Sequence, residues 1–174
     1  SIGATIFSDH GKTAEELLKR ADIAMYQAKK AGRNTLRFFN PEMQDVINTR
    51  AVLEGDLRKA LENRQFHLYY QIQVDSSHRP LGAEALIRWI HPERGLVPPD
   101  QFIPLAEETG LILPLGHWVL EAACTQLALW AARPELAHLT VAVNVSAHQF
   151  RQPDFVNQVI AVLKHTGANP RRLK

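Results

Sequence analysis

The 174-residue sequence lacks the features of a secreted scaffold or of a protein that coats nucleic acids. Its single cysteine, Cys124, cannot form an internal disulfide. The 20 basic residues nearly balance the 18 acidic ones, so a formal charge of +2 gives no indication of a nucleic-acid polymer as partner. We see no signal-peptide pattern and expect no membrane-spanning segment. An anionic ligand would therefore have to bind at a local site.

Cys124 lies in an apolar stripe at helical spacing with Leu120, Leu127 and Trp130. This pattern predicts a buried, small apolar residue rather than a nucleophile. With 45% apolar and 22% charged residues, the chain has the composition of a globular protein. It begins at Ser1 within a predicted strand, so we expect further residues upstream in the parent protein.

The first forty residues form one predicted unit, 1–40. Residues 1–7 are predicted as a strand, 9–11 as a turn and 35–39 as a second strand. Thr13, followed three residues later by a glutamate, has the capping-box pattern of a helix start. Gly32 follows two lysines and is a plausible left-handed end of that helix.

Residues 41–64 carry one apolar face at helical spacing and have no proline after Pro41, which predicts a stiff connecting helix. From residue 65 to 174, strands alternate with helices. This order predicts an α/β fold with mainly parallel strands. The predicted strands are 66–73, 81–90 and 139–145, with residues 170–174 leading into another; the predicted helices are 100–110, 115–132 and 154–166.

Polar side chains share one face of each predicted strand, because residues two apart in a strand point the same way. Glu84 and Arg88 share a face in the second strand with Leu86, Asn144 lies on one face of the third, and Gln71 on one face of the first. In a parallel α/β barrel such groups would meet at the carboxyl ends of the strands.

The strand pattern alone leaves structural alternatives open. Glu84 and Arg88 could form a buried ion pair, Asn144 could cap a helix that starts near Ser146, and Gln71 could face solvent on an edge strand. Polar residues at strand ends are common in α/β proteins, so the pattern does not decide between site and structure.

Two extended runs resemble known families. The first, similar to the opening of the EAL domain, comprises Glu84-Ala85-Leu86 within 82–89, His91-Pro92, 98–107, Gly110-Leu111-Ile112, Asn144-Val145-Ser146 and Gln149-Phe150. The second, similar to the closing segment of GGDEF domains, comprises Ser1-Ile2-Gly3, 21–26, Ala28-Lys29 and Gly32-Arg33-Asn34. The resemblance implies the tail of a GGDEF domain (1–40), a connecting helix (41–64) and the first half of an EAL domain (65–174).

The EAL resemblance implies a partial (β/α)8 TIM-like barrel from a parent that hydrolyses cyclic di-GMP to linear pGpG with two divalent cations, Mg²⁺ or Mn²⁺. Glu84 matches the family's first metal-binding carboxylate and Asn144 a second metal ligand, so both are the predicted catalytic residues. Arg88 matches a residue that contacts a phosphate of the ligand. Gln71 matches a further ligand contact, and Leu86 an apolar one.

Much of the machinery that the resemblance implies lies outside this chain. The later acidic ligands and the catalytic lysine belong to strands beyond it, so we expect this polypeptide alone to be inactive. The GGDEF signature loop is also absent. Lys29 and Arg33 match nucleotide-phosphate contacts, four residues apart near a helix end, but basic residues there also complement the helix dipole, and we favour that role.

Three functions follow for the parent protein. The leading interpretation is a cyclic di-GMP phosphodiesterase; the alternatives are a receptor that binds cyclic di-GMP without cleaving it, and a module in which GTP at the GGDEF domain regulates the EAL domain. The resemblance further implies a homodimer formed through EAL domains. We expect a cytoplasmic location, and upstream segments of the parent could tether it to the inner membrane.

Overall fold

The computed structural model describes residues 1–7 and 13–174. Contacts within it divide the chain into two units, Ser1–Leu53 and Glu54–Lys174. The predicted turn at 9–11 lies outside the described residues. The boundaries that we predict at 40/41 and 64/65 stay predictions.

The first unit pairs two short parallel strands beside one helix. Its elements are β1 (Ile2–Ala4), α1 (Ala14–Lys30) and β2 (Leu36–Phe38). The Thr13 side chain accepts a hydrogen bond from the Glu16 backbone N–H at 3.2 Å, as the helix-start pattern predicts. Gly32, just after α1, has a left-handed φ of 96°. A Cβ on Gly3 would lie 2.1 Å from the Ala21 carbonyl oxygen, so this glycine lets β1 approach α1 closely.

Helix α2 (Pro41–Glu62) continues from the first unit into the second. Within the second unit, Leu57 and Ala60 on this helix are fully buried. Asp56 Oδ2 lies 3.3 Å from Nε2 of His91, which is itself buried. The other ring nitrogen of His91 accepts backbone N–H groups of the following turn, so Nε2 carries the proton that faces Asp56. The end of α2 is therefore fixed to the sheet.

The sheet of the second unit is organised around its longest strand. It comprises β3 (Phe66–Val74), β4 (Pro80–His91), β5 (Gly95–Val97) and β6 (Thr140–Val143). β4 pairs with β3 antiparallel along one side, and with β6 parallel and β5 antiparallel along the other.

The expectation of mainly parallel strands is wrong for this sheet, in which β4 is antiparallel to β3 and β5. Only residues 75–79 join β3 to β4, whereas a parallel pair needs a crossover of roughly a dozen residues or more. Asp75 organises this turn by accepting backbone hydrogen bonds from Ser77 and Arg79. The backbone hydrogen bond from Arg79 is the main cause that lowers the pKa of the partly buried Asp75 carboxyl.

The last residues begin a further parallel strand, as the sequence predicts. Leu173 forms a parallel bridge with Val141. The Lys174 N–H donates to the Val141 carbonyl at 2.8 Å, and the Val143 N–H donates to the Lys174 carbonyl at 2.9 Å. This strand lies beside β6.

Helices cover one face of the sheet. They are α3 (Pro99–Thr109), α4 (Ile112–Ala131), α5 (Ala147–Phe150) and α6 (Phe155–Thr166), followed by a 3-10 turn (Pro170–Arg172). One buried cluster joins α4 and α6 to β4 and β6: Ala85, Leu120, Ala123, Cys124, Leu127, Val141, Val162 and Ala168. The prediction that Cys124 is a buried core residue is confirmed.

By length and composition alone α4, with a mean hydropathy of 1.2, could cross a membrane, in contrast to the expectation of no membrane-spanning segment. The central helix of a folded core passes the same test. Seven α4 side chains are buried, among them Leu115, Val119 and Leu127, so its apolar character is explained by packing within this unit.

Leu57→Ala should lower the free energy of unfolding by about 2–5 kcal/mol, because it leaves a cavity where a fully buried side chain stood. Leu129→Ala is the matched control, since Leu129 is 59% exposed on α4, and it should cost less than about 1 kcal/mol. Urea denaturation measures both. Equal losses would contradict the placement of the end of α2 in the core.

Burial raises the pKa of the Cys124 thiol, which disfavours the reactive thiolate. Ellman's reagent at pH 8 should therefore modify native protein much more slowly than unfolded protein. In a Cys124→Ala background, Thr125→Cys places a thiol at the exposed neighbouring position and should react rapidly. A fast reaction of native Cys124 would show that the thiol is accessible.

Candidate active site

The two predicted metal ligands meet across the β4–β6 pair. Glu84 on β4 is in register with Gln71 on one side and with Ala142 on the other. Residues directly paired in a sheet share a face, and Asn144 follows Ala142 by two positions. Asn144 Nδ2 donates a hydrogen bond to Glu84 Oε1 at 2.8 Å. The contact joins residues that are sixty positions apart in sequence.

This pair offers oxygen donors of the kind that hard cations prefer. When the Asn144 amide donates through Nδ2, its carbonyl oxygen and the second Glu84 oxygen remain available, and such oxygens suit Mg²⁺ or Mn²⁺. Among the residues that the structure describes, no group of three or more His, Cys, Asp or Glu side chains could hold a metal ion. The pair therefore fits part of a ligand set.

Arg88 lies two side chains along β4 from Glu84, on the same face. Its guanidinium carbon is 5.7 Å from the centre of the Tyr69 ring, and Nη1 donates to the Ile87 carbonyl at 2.8 Å. In the described ranges no ion pair joins Arg88 to Glu84, so the ion-pair alternative is not the observed arrangement. A guanidinium held over an aromatic ring presents its outer N–H groups to an anion.

The helix-cap alternative for Asn144 is also not observed. Ser146, not Asn144, caps α5, and its hydroxyl accepts the Gln149 N–H at 3.1 Å. The Asn144 side chain is thus left to contact Glu84. Gln71 is exposed on β3, as the edge-strand alternative predicts, yet it lies directly beside Glu84. The structure is compatible with both interpretations of Gln71, as a ligand contact and as a solvent-facing residue on an edge strand.

A cavity of about 280 Å³ lies next to Asn144. Leu86, Arg88 and Asn144 contribute to its wall, together with apolar side chains of α3 and α4. Glu107 of α3 is the acidic residue in that wall, and it was not among the predicted site residues. Its position next to buried Leu105 and Ala106 on a short helix gave no signal that it would face a cavity.

Two known protein families match this chain. A family model described as "EAL domain" matches residues 54–174, and one described as "Diguanylate cyclase, GGDEF domain" matches residues 1–35. The chain belongs to the EAL domain family. It consists of a GGDEF fragment followed by part of an EAL domain, whose fold is a partial TIM-like α/β barrel.

Curated relatives resemble nearly the whole chain. A bifunctional diguanylate cyclase/cyclic di-GMP phosphodiesterase, MucR of Pseudomonas aeruginosa, is 46% identical over 95% of this chain and 24% of its own length. The cyclic di-GMP phosphodiesterase PdeR of Escherichia coli is 41% identical over 94% of this chain and 24% of its own. The chain thus spans about a quarter of these relatives.

A solved structure of the MucR phosphodiesterase, in complex with c-di-GMP, superposes with a TM-score of 0.66. It is 46% identical and covers 68% of this chain and 48% of that one. The EAL domain of FimX from Pseudomonas aeruginosa, bound to c-di-GMP, has a TM-score of 0.56 and is 27% identical, covering 68% of this chain and 47% of that one.

The two basic residues of the GGDEF fragment do not share a helical face. Lys29 is in the last turn of α1, but Arg33 lies beyond the helix end with a left-handed φ of 64°. The helical spacing of four residues therefore does not apply to this pair, because the chain has already left the helix at Gly32. Lys29 in the last turn is placed to complement the helix dipole, and the phosphate-contact roles of Lys29 and Arg33 stay predictions.

Asn144→Asp should lower the free energy of unfolding by about 1 kcal/mol or more without divalent cations, because two carboxylates would then face each other across 2.8 Å. Added Mg²⁺ should restore more stability to this variant than to the wild type. Thermal unfolding with and without Mg²⁺ measures both effects.

The matched control for this variant is Asn157→Asp on α6, where an amide also donates to a carboxylate, Asp154, at 2.9 Å. This exposed pair lies outside the EAL site and should show no such Mg²⁺-dependent gain. Equal Mg²⁺ responses at the two positions would contradict a cation site at Glu84 and Asn144.

Proposed function

We propose that the protein to which this chain belongs hydrolyses cyclic di-GMP to linear pGpG with divalent cations, Mg²⁺ or Mn²⁺. The direct contact between Glu84 and Asn144 is the observation that carries the proposal. Support comes from relatives that are at least 41% identical and carry the name of cyclic di-GMP phosphodiesterases.

Glu84 and Asn144 would hold a cation through their side-chain oxygens, and Mg²⁺ or Mn²⁺ there would supply charge neutralisation and an activated water. Arg88 would bind a phosphate oxygen with its fork of donors, oriented by the Tyr69 ring. Leu86 would present an apolar contact to the ligand from the same strand face, and Gln71 a polar one beside Glu84.

The proposal concerns the parent protein rather than the chain alone. The described residues supply only two ligand side chains, and the chain spans about half of the MucR phosphodiesterase structure. Further acidic ligands would have to come from other strands of the barrel. GTP binding by the GGDEF domain and dimerisation through EAL domains are further proposals for the parent, as is its cytoplasmic location.

A second candidate function is binding without cleavage. The FimX EAL domain was solved bound to c-di-GMP at 27% identity to this chain, so the fold holds the nucleotide in a distant relative. A receptor would need Arg88, Leu86 and Gln71 but not a complete set of metal ligands. The two functions differ in their dependence on Glu84.

Glu84→Gln in the full-length protein should reduce cyclic di-GMP turnover with Mg²⁺ by more than about 100-fold. Loss of a residue that only orients a metal ligand typically costs about 10–100-fold, and loss of the ligand itself should cost more. The substitution keeps the size of the side chain but removes its charge. Glu135→Gln, an exposed residue outside the site, is the control and should leave turnover unchanged. Chromatography of pGpG measures the rates.

If wild-type protein binds cyclic di-GMP but forms no pGpG, the phosphodiesterase proposal fails and the receptor remains. If Glu84→Gln retains wild-type turnover, the proposed ligand role of Glu84 is wrong even though the protein is an enzyme.

A further inference from the structure

The segment that carries Asn144 has little regular structure of its own. β6 ends at Val143 and α5 begins at Ala147, and α5 spans only four residues. A helix that short is not stable by itself. Strand pairing fixes the backbone only as far as Val143, so the position of Asn144 relative to Glu84 also depends on contacts after it in this connection.

A reciprocal pair of hydrogen bonds fixes the connection. The Gln149 N–H donates to Ser146 Oγ at 3.1 Å, and the Ser146 N–H donates to Gln149 Oε1 at 3.2 Å. This capping box ties down the backbone two residues after Asn144.

The Gln149 side chain is in turn held by helix α4. It is only 8% exposed, and it occupies the space beside Gly116, where a Cβ would lie 1.8 Å from Gln149 Nε2. α4 is part of the buried core of the domain. The amide of Gln149 thus connects a rigid helix to the backbone of the Asn144 segment.

We propose that Gln149 is a positioning residue for cation binding: through the Ser146 backbone it holds Asn144 at Glu84. The inference rests on the proposed function, since it assumes that Asn144 is a metal ligand. Loss of an outer partner that orients a ligand typically weakens metal affinity about 10–100-fold.

Two variants separate hydrogen bonding from packing. Gln149→Met keeps a side chain of similar size but cannot accept the Ser146 N–H, whereas Gln149→Glu keeps the acceptor, as glutamate does in other capping boxes. The readout is Mn²⁺ binding to the full-length protein without cyclic di-GMP, followed by the electron paramagnetic resonance signal of free Mn²⁺.

Gln149→Met should weaken Mn²⁺ binding about 10-fold or more, while Gln149→Glu should stay within about threefold of the wild type. In an Asn144→Ala background, Gln149→Met should have almost no additional effect, because its route to the cation is already removed. Wild-type affinity in Gln149→Met, or the same loss in both backgrounds, would overturn the proposal.

Thermal unfolding without metal checks that each variant folds. If Gln149→Met does not fold, Ser146→Ala, which removes only the other half of the capping box, takes its place and must weaken Mn²⁺ binding. Wild-type protein that binds no Mn²⁺, or Asn144→Ala that binds it normally, refutes the proposed metal site itself. A wild type that binds Mn²⁺ through Asn144, with unaffected capping-box variants, refutes only the role of Gln149.

Discussion

The parallel pairing of β4 with β6 is the constraint on which the candidate site depends. Its register places Ala142 opposite Glu84, which brings Asn144, two positions further, to the same face within hydrogen-bonding distance. A shift of one residue would turn Asn144 to the opposite face of the sheet. The long connection between the two strands contains α3 and α4, whose apolar side chains pack on the sheet and maintain the pairing.

Successive side chains of β4 alternate between a buried face and a partly exposed face of the sheet. Ala83, Ala85 and Trp89 on one face are buried, while Glu84 and Arg88 on the other are only partly buried. This alternation was predictable from the sequence, and with it the common face of Glu84, Leu86 and Arg88. The antiparallel pairing with β3 was not predicted, because the alternation of polar and apolar residues shows which face a side chain lies on but not which strand is the neighbour. The short connection 75–79, with Asp75 at its start, indicates an antiparallel pair, because it is too short for a parallel crossover.

Some residues of the candidate site were predictable from the sequence and others were not. The family resemblance indicated Glu84 and Asn144, and strand alternation indicated that they could converge. Tyr69 was missed because an aromatic residue in a strand is ordinarily attributed to packing, although its register with Leu86 places it on the face that carries Glu84 and Arg88. The capping box at Ser146 and Gln149 has a readable Ser-x-x-Gln pattern, but the space for Gln149 is made by Gly116, and only the fold brings these residues together.

The geometry also determines where further ligands could lie. Mg²⁺ prefers near-octahedral coordination by oxygen, and the proposed ligands Glu84 and Asn144 would supply two side chains, while no group of three or more His, Cys, Asp or Glu side chains in the described part of the chain could hold a metal ion. Leu173 and Lys174 pair with β6 in parallel, so any strand that continues from them would run toward the same edge of the sheet as Asn144. Neighbouring strands lie about 4.8 Å apart, so a carboxylate at the end of such a strand could share a cation with Asn144. The same parallel order that joins Glu84 to Asn144 would thus extend the ligand set one strand at a time around the barrel.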